Sequence, residues 1–390
     1  MALDATPLLG NPTGVGVFCR HLLSALSTRP DTEVSAYAVS WRRRRQLAER
    51  LPSDVGWRQR AMPARPLHTA WRRAGRPSVE WFVRDCDVVH GTNFVVPPTR
   101  RAGAVLTVHD LTVLRYPELC ERSTLAYPDL IRQAVRRGSW IHTPSEYVAQ
   151  EVVELLGADP DRVRAVLSGT PTTESGGVAP AGYEAGGGGT GSGKQGETEA
   201  DEPPIALPPG TERYVLSIGT AEPRKDLPSL VRAFEAVARS RPELALVLVG
   251  PDGWGASALD QAIESSPVRE RVVRARWLDD RRLARVLRGA AVLAYPSIYE
   301  GFGFPPLQAM SVGVPVVATR VGALPEVLGD AAELVPARHP AALAGALGDV
   351  LDDSRLRDRL VARGARRTAE LTWERCAEGM SALYREVSAS

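Results

Sequence analysis

Short aliphatic and β-branched runs alternate along the chain with longer stretches whose apolar residues recur every three or four positions. In the first half, DVVHG (87–91), AVLTVHD (104–110) and WIHTPS (140–145) read as buried strands running out into polar loops. TGVGVFCRHLLSAL (13–26) and SEYVAQEVVELLG (145–157) read as helices among them. The second half repeats the pattern with YVLSIGT, LALVLVG, VVRARWL, AVLAYPS and VPVVAT as strands. DLPSLVRAFEAVARSRP and DRRLARVLRGA supply amphipathic helices between them. Such alternation implies an α/β protein of parallel sheets with helices on both faces. Two Rossmann-like, doubly wound domains facing across a cleft place their loops face to face at the carboxyl ends of the strands.

A chain of 390 residues is too long for one ordinary core, so two domains are expected. The stretch from Ser175 to Pro204 is rich in Gly, Glu, Pro and Ser and nearly devoid of aliphatic residues. It cannot bury enough surface to offset its ordering entropy, so it reads as a mobile insertion, either a plain solvated linker or a regulatory insert. The expected division is 1–170 for the first domain, 171–211 for the linker and 212–372 for the second domain. A final helix over 373–390 packs back on the first domain.

Charge changes little. Lys and Arg total 48 against 46 Asp and Glu, a formal +2, which argues neither for nor against nucleic acid. Cys19, Cys86, Cys120 and Cys376 are scattered without metal-ligand spacing, which predicts a reducing, cytosolic setting and no metal site. No basic segment precedes an apolar run at the start, and no apolar run reaches about 18 residues, so neither a signal peptide nor a membrane span is expected.

Candidate chemistry lies on the loops after strands. In YPSIYEGFGFPPLQAM (295–310), Glu300 precedes two glycines and two prolines, then a helix start. The amides of Gly301, Phe302, Gly303 and Phe304 suit an anion or a ring of hydroxyls. In LSIGTAEPRKDL, Arg224 and Lys225 follow a strand ending at Gly219. A planar fork beside a point charge suits a diphosphate; a solvated basic pair is the plainer alternative. Asp226 then caps the next helix. Facing a cleft with that cation pair, Glu300 accepts hydrogen bonds from sugar hydroxyls. His109 follows a strand and either reaches the cleft or bonds within its loop, with Asp110 as a cap. Gly14 and Gly16 form either an anion-facing turn or a bare helix start. Neither paired carboxylates for hydrolysis nor a D-x-D-type acidic motif is present, so positioning and charge stabilisation carry any reaction.

EPRKDL, SIYEGFGFPPLQAMSVGVPVVAT and GALPEVLGDAAELV resemble the donor domain of retaining GT-B glycosyltransferases of family 4. ATPLLGNPTGVGVFCRHLL, DVVHGTNFVVPP and VLTVHDLTVLRYPE resemble that family's acceptor domain. The resemblance implies transfer of a hexose, with retention, from a nucleotide-diphospho-sugar to a glycan or lipid-linked acceptor, without cofactor, metal or nucleic acid. It implies catalytic roles for His109, Arg224, Lys225 and Glu300. Donor contacts fall to Gly14, Gly16, Gly219, Gly301, Phe302, Gly303, Phe304, Leu307, Gln308 and Glu326. Gln308 departs from the family pattern, standing where the second glutamate of E-x7-E takes the ribose hydroxyls. A weakened or non-catalytic sugar-nucleotide-binding relative, or an epimerase on the same fold, stands as the alternative.

The acceptor-domain segments look most like mannosyltransferases of polysaccharide or glycolipid pathways, which makes GDP-mannose the first donor to try. WRRRRQLAER (41–50) and TAWRRAGRPSVEWF (69–82) mix arginines with tryptophans, which reads as a solvated basic helix or as peripheral contact with an anionic membrane. On this reading Glu300→Ala and Lys225→Ala lower turnover by orders of magnitude and leave the melting temperature nearly unchanged.

Overall fold

The computed structural model describes residues 1–9, 13–58, 60–171, 204–276 and 278–390. Residues 172–203 lie outside the described residues, and with them all of the expected mobile insertion, Ser175 to Pro204, except Pro204 itself.

The first sheet contains β1 (Ala2–Asp4), β2 (Ser35–Tyr37), β3 (Gly56–Trp57), β4 (Val88–Gly91), β5 (Gly103–Thr107), β6 (Trp140–Thr143) and β7 (Val163–Ala165). They lie in the order β3-β2-β1-β4-β5-β6-β7, every pairing parallel. The second sheet contains β8 (Arg213–Ile218), β9 (Leu244–Val249), β10 (Val272–Ala275), β11 (Val292–Tyr295), β12 (Val316–Thr319) and β13 (Glu333–Val335). Its order is β10-β9-β8-β11-β12-β13, again parallel throughout. Both sheets reverse their winding at equivalent places, between β1 and β4 and between β8 and β11.

Each sheet is buried on both faces because its strands are apolar at successive positions. Ala2 faces one core of the first sheet with Leu106 and Ile141. Leu3 faces the other, where Phe18, Leu22 and Leu26 of helix Gly14–Ser27 pack. That second face is completed by the last helix, Trp373–Ala389, through Trp373, Met380 and Leu383. The chain thus returns from the second domain to cover the first.

One polar chain crosses this covered face. A carbonyl only accepts, so His142 Nε2–H donates to Val166 O at 3.1 Å. Neutral His142 then accepts at Nδ1 from the Thr107 hydroxyl, 2.9 Å. Thr107 accepts from His90 Nε2–H at 2.7 Å, and His90 Nδ1 accepts from the Tyr384 phenol at 2.8 Å. One chemistry at the far end fixes every proton in the series. Tyr384→Phe leaves His90 Nδ1 buried without a donor and should lower unfolding stability by about 1–3 kcal/mol in a urea titration.

The same histidines make stability depend on pH. Burial pushes His142 down to about 3, with the Val166 bond opposing and His109 adding to the fall. Burial, then His142 and His109, hold His90 well below its ordinary value. The unfolded chain takes up these protons near pH 6.5 and the folded chain does not, so stability is full above about 6.5 and is lost as pH falls. Each histidine contributes about 1.4 kcal/mol per pH unit across that window. Asp4, raised by burial to about 6 against two bonds from Thr6, acts oppositely below that value, while His21, lowered to about 4 by burial and by Arg20, adds to the histidines' side. A urea midpoint that stays level from pH 6.5 to 4.5 would contradict this.

Candidate functional site

Because β8 and β11 are neighbours, the loops at their carboxyl ends emerge side by side. After β8 the chain passes Gly219 and the 3₁₀ turn Pro223–Lys225, then enters helix Leu227–Ala238. After β11 it runs from Pro296 to Gly303, then into helix Phe304–Ser311. Gly303, with φ 112°, supplies a left-handed step at the helix entry. Pro305 and Pro306 remove two amide donors from the first turn. The Glu300 carbonyl accepts from Ala323 N at 2.9 Å, and a Cβ on Gly322 would collide with that carbonyl.

Glu300 is 6% exposed and meets both cations directly. Its Oε1 accepts from Lys225 Nζ and from Ser297 Oγ, each at 2.6 Å. Its Oε2 lies 2.8 Å from Arg224 Nη1. Arg224 Nη1 also donates to the Tyr299 carbonyl at 2.8 Å, and Nη2 donates to Glu222 Oε1 at 2.6 Å. Lys225, 9% exposed, donates to the Tyr295 phenol at 2.7 Å and stands 4.6 Å from that ring's centroid. Burial alone would raise the Glu300 carboxyl, but Arg224 and Lys225 outweigh it and hold the group at about 2.

This corrects the expected geometry. The acid and the cations were expected to face one another across a ligand; they are partners on one wall. The reason is topological, since adjacent parallel strands deliver both loops to the same spot. Glu222 and Glu300 balance Arg224 and Lys225, so the wall holds no surplus charge. What remains for a ligand is the Arg224 Nε hydrogen, one on Nη2, and one of the three on Lys225. Gly219 lies under the Lys225 stem; a Cβ there would sit 3.3 Å from Lys225 Cε.

The first domain packs against this turn through the loop after β5. His109 Nε2–H donates to Thr92 O at 2.7 Å, a bond to the neighbouring loop after β4 that leaves Nδ1 without a partner among the described residues. Burial lowers its pKa, with the Thr92 bond and Asp110 opposing, which leaves a neutral ring with its lone pair on Nδ1. Asp110 accepts from Thr112 N at 3.0 Å. Gly301 is pressed against the His109 carbonyl, with no room for a side chain. A Cβ on Gly14 would meet the Phe304 ring at 3.6 Å.

Several expected donor contacts stand elsewhere. Gly16 N–H is taken by the Thr13 hydroxyl that caps its helix, at 3.3 Å. Leu307 is fully buried and Phe302 nearly so, both in the core of the second domain, which leaves them only main-chain groups to offer. Glu326 is occupied by the other domain: its two oxygens accept from Glu146 N at 2.8 Å and Tyr147 N at 2.9 Å. A carboxylate at the positive end of helix Glu146–Leu156 is a favourable pairing, and it gives Glu326 a role between the domains. Asp226 stands at its expected N-cap with φ 44°, but without a side-chain cap bond. Gln308 is half-buried, and its side chain has no hydrogen-bond partner among the described residues.

Sequence reasoning missed Tyr295, Ser297, Tyr299 and Glu222. The signal was local: polar side chains within five residues of the candidate acid or two of the candidate cation.

A family model described as glycosyl transferases group 1 matches residues 199–367, and one described as glycosyltransferase family 4 matches residues 12–174. The chain is 30% identical to the O-antigen chain mannosyltransferase B of Escherichia coli over 303 residues, covering 76% of this chain and 74% of that protein. Sucrose-phosphate synthase from Thermosynechococcus elongatus shares the fold with a TM-score of 0.72 at 19% identity, over 100% of this chain and 98% of its own. The Anabaena protein Alr3699/HepE, solved with UDP-glucose, does so with a TM-score of 0.67 at 15% identity, over 100% and 99%.

Proposed function

The chain belongs to glycosyltransferase family 4, and on that premise we propose that it moves a hexose, mannose first, from a nucleotide-diphospho-sugar to a glycan or lipid-linked acceptor. One observation carries the reading. Arg224 and Lys225 sit where the strand order reverses, with donor hydrogens unspent, paired with Glu300 on a turn whose Gly301 packs against the His109 main chain. In this reading the bond from the sugar's anomeric carbon to the diphosphate breaks as the acceptor oxygen attacks the same face. The departing diphosphate takes the acceptor's proton. Arg224 and Lys225 offset the charge developing on it. Glu300, ionised throughout, keeps both cations aimed. His109 Nδ1 is left to accept from a donor-sugar hydroxyl. No residue acts as nucleophile, and no metal takes part.

The name of the Escherichia coli relative supports mannose, and the Anabaena neighbour's ligand supports a nucleotide sugar as the donor class. The test is turnover of labelled GDP-, UDP-, ADP- and TDP-sugars, with and without EDTA. GDP-mannose should react fastest, with EDTA making no difference; no turnover on any donor would end the proposal. Gln308→Glu restores a charged acceptor, and charge-assisted bonds are about twice as strong as neutral ones. It should tighten the donor several-fold in the same assay.

Peripheral contact with an anionic membrane belongs to the same proposal. Trp41 and Trp81 are 60% and 70% exposed near Arg42 to Arg45 and the basic helix Ala64–Ala74. Among the described residues no helix is long and apolar enough to cross a membrane. The protein should pellet with anionic vesicles at low salt and be released at high salt; binding indifferent to salt and to reversal of Arg42 to Arg45 would count against contact.

A further inference from the structure

A buried acid in the first domain reaches the reaction site through two hydrogen bonds. Glu151, 2% exposed, lies on helix Glu146–Leu156. Its Oε1 accepts from Arg115 Nε at 2.7 Å, and its Oε2 accepts from the phenol of Tyr299. Tyr299 belongs to the second domain, is itself buried, and directly precedes Glu300. Its phenol oxygen also accepts from Leu111 N at 3.1 Å, two residues beyond His109. Its carbonyl is the one that accepts from Arg224 Nη1. An unbroken series therefore runs from Glu151 through Tyr299 to the guanidinium that faces the donor.

The same helix holds the second domain at two more points. Ser145 Oγ donates to the Gly301 carbonyl at 2.9 Å, and Glu326 sits on the first amides of the helix. Three second-domain residues, 299, 301 and 326, thus close on one element. Sealing so many polar groups between domains is worthwhile only where both partners are present, because either one left alone is a desolvated group without a partner.

We infer that Glu151 is a positioning residue: by holding Tyr299 across the domain boundary it sets the Tyr299 carbonyl, and with it Arg224 and the Glu300 turn, only when the domains are closed. The inference rests on the transferase reading for its catalytic consequence and stands apart from it for its effect on closure.

The test compares Glu151→Ala, Glu151→Gln, Tyr299→Phe and the double variant Glu151→Ala/Tyr299→Phe in the full-length protein. Turnover should fall about 30- to 100-fold in Glu151→Ala, as for a small misplacement of a reacting group, with donor KM changed less than about threefold. Glu151→Gln keeps an acceptor for the phenol and should recover most of the loss. The double variant should be no worse than the poorer single one, since both residues act through one bond. Small-angle scattering of the free protein should show a larger radius of gyration for Glu151→Ala and Tyr299→Phe than for wild type. Additive losses, a Gln variant as impaired as Ala, or unchanged scattering in both single variants would overturn the inference. Absence of wild-type turnover on every nucleotide sugar would defeat the transferase reading alone, and scattering would still decide the clasp.

Discussion

Glu300→Ala loses both activity and stability. Turnover should fall by about 10²–10³-fold, the usual consequence of removing one element of preorganised charge from a reaction site. The structure changes the second half of the expectation. Read from the sequence, Glu300 stood on a loop facing the cleft and its loss left the melting temperature nearly unchanged. In the fold its carboxylate is buried against Arg224, Lys225 and Ser297. Removing one partner of a buried ionic group costs about 3–5 kcal/mol because the remaining charges stay desolvated. Arg224 keeps Glu222, which places the cost toward the lower end. A diphosphate bound at the same cations would replace the missing negative charge, so inorganic pyrophosphate should raise the variant's melting temperature more than that of wild type. Glu300→Gln, which keeps volume and an acceptor, should lose less of both. Wild-type melting in Glu300→Ala would show that the acid is not buried among these cations.

Gly301→Ala is the second large effect. Its new methyl would overlap the His109 carbonyl oxygen and crowd Asp110 Cβ, main-chain and near-main-chain atoms that cannot swing aside. Each domain still folds, yet the turn carrying Glu300 cannot seat against the first domain. A displacement of about 1 Å at a reacting group can cost about 10²-fold in rate, and this substitution demands at least that. Far-UV circular dichroism should be unchanged while turnover collapses. Gly345→Ala is the matched control. It lies within helix Pro340–Asp352, and its Cβ would meet nothing within 4 Å. It should leave activity intact and stabilise the helix by about 0.5–1 kcal/mol.

The sequence disclosed the architecture through its long elements. LALVLVG and YVLSIGT carry most of the six-residue strands β9 and β8, and the helices beside them carry unambiguous periodicity. The short strands β3, Gly56–Trp57, and β13, Glu333–Val335, left no readable pattern, since two or three residues cannot display a period. Candidate residues on loops after strands were legible because strand ends point their loops to one edge of the sheet. What could not be read was which charges touch. The Glu300 pairing depends on β8 and β11 being neighbours, and they lie 77 residues apart in register, with Val292 beside Val215. The inter-domain contact of Glu326 was hidden for a similar reason. Its role depends on a helix that begins 180 residues earlier in the chain.

The return of helix Trp373–Ala389 has a consequence for synthesis. Domains ordinarily fold as they leave the ribosome, the amino-terminal one first. Here Trp373, Met380 and Tyr384 complete a face of the amino-terminal sheet, so that unit waits, with Phe18 and Leu22 only partly covered, until residues 373–389 have been made. A product stalled or clipped before that helix therefore exposes a sticky surface hundreds of residues earlier in the chain, and a chaperone that shields nascent chains should be needed most by the half that is made first.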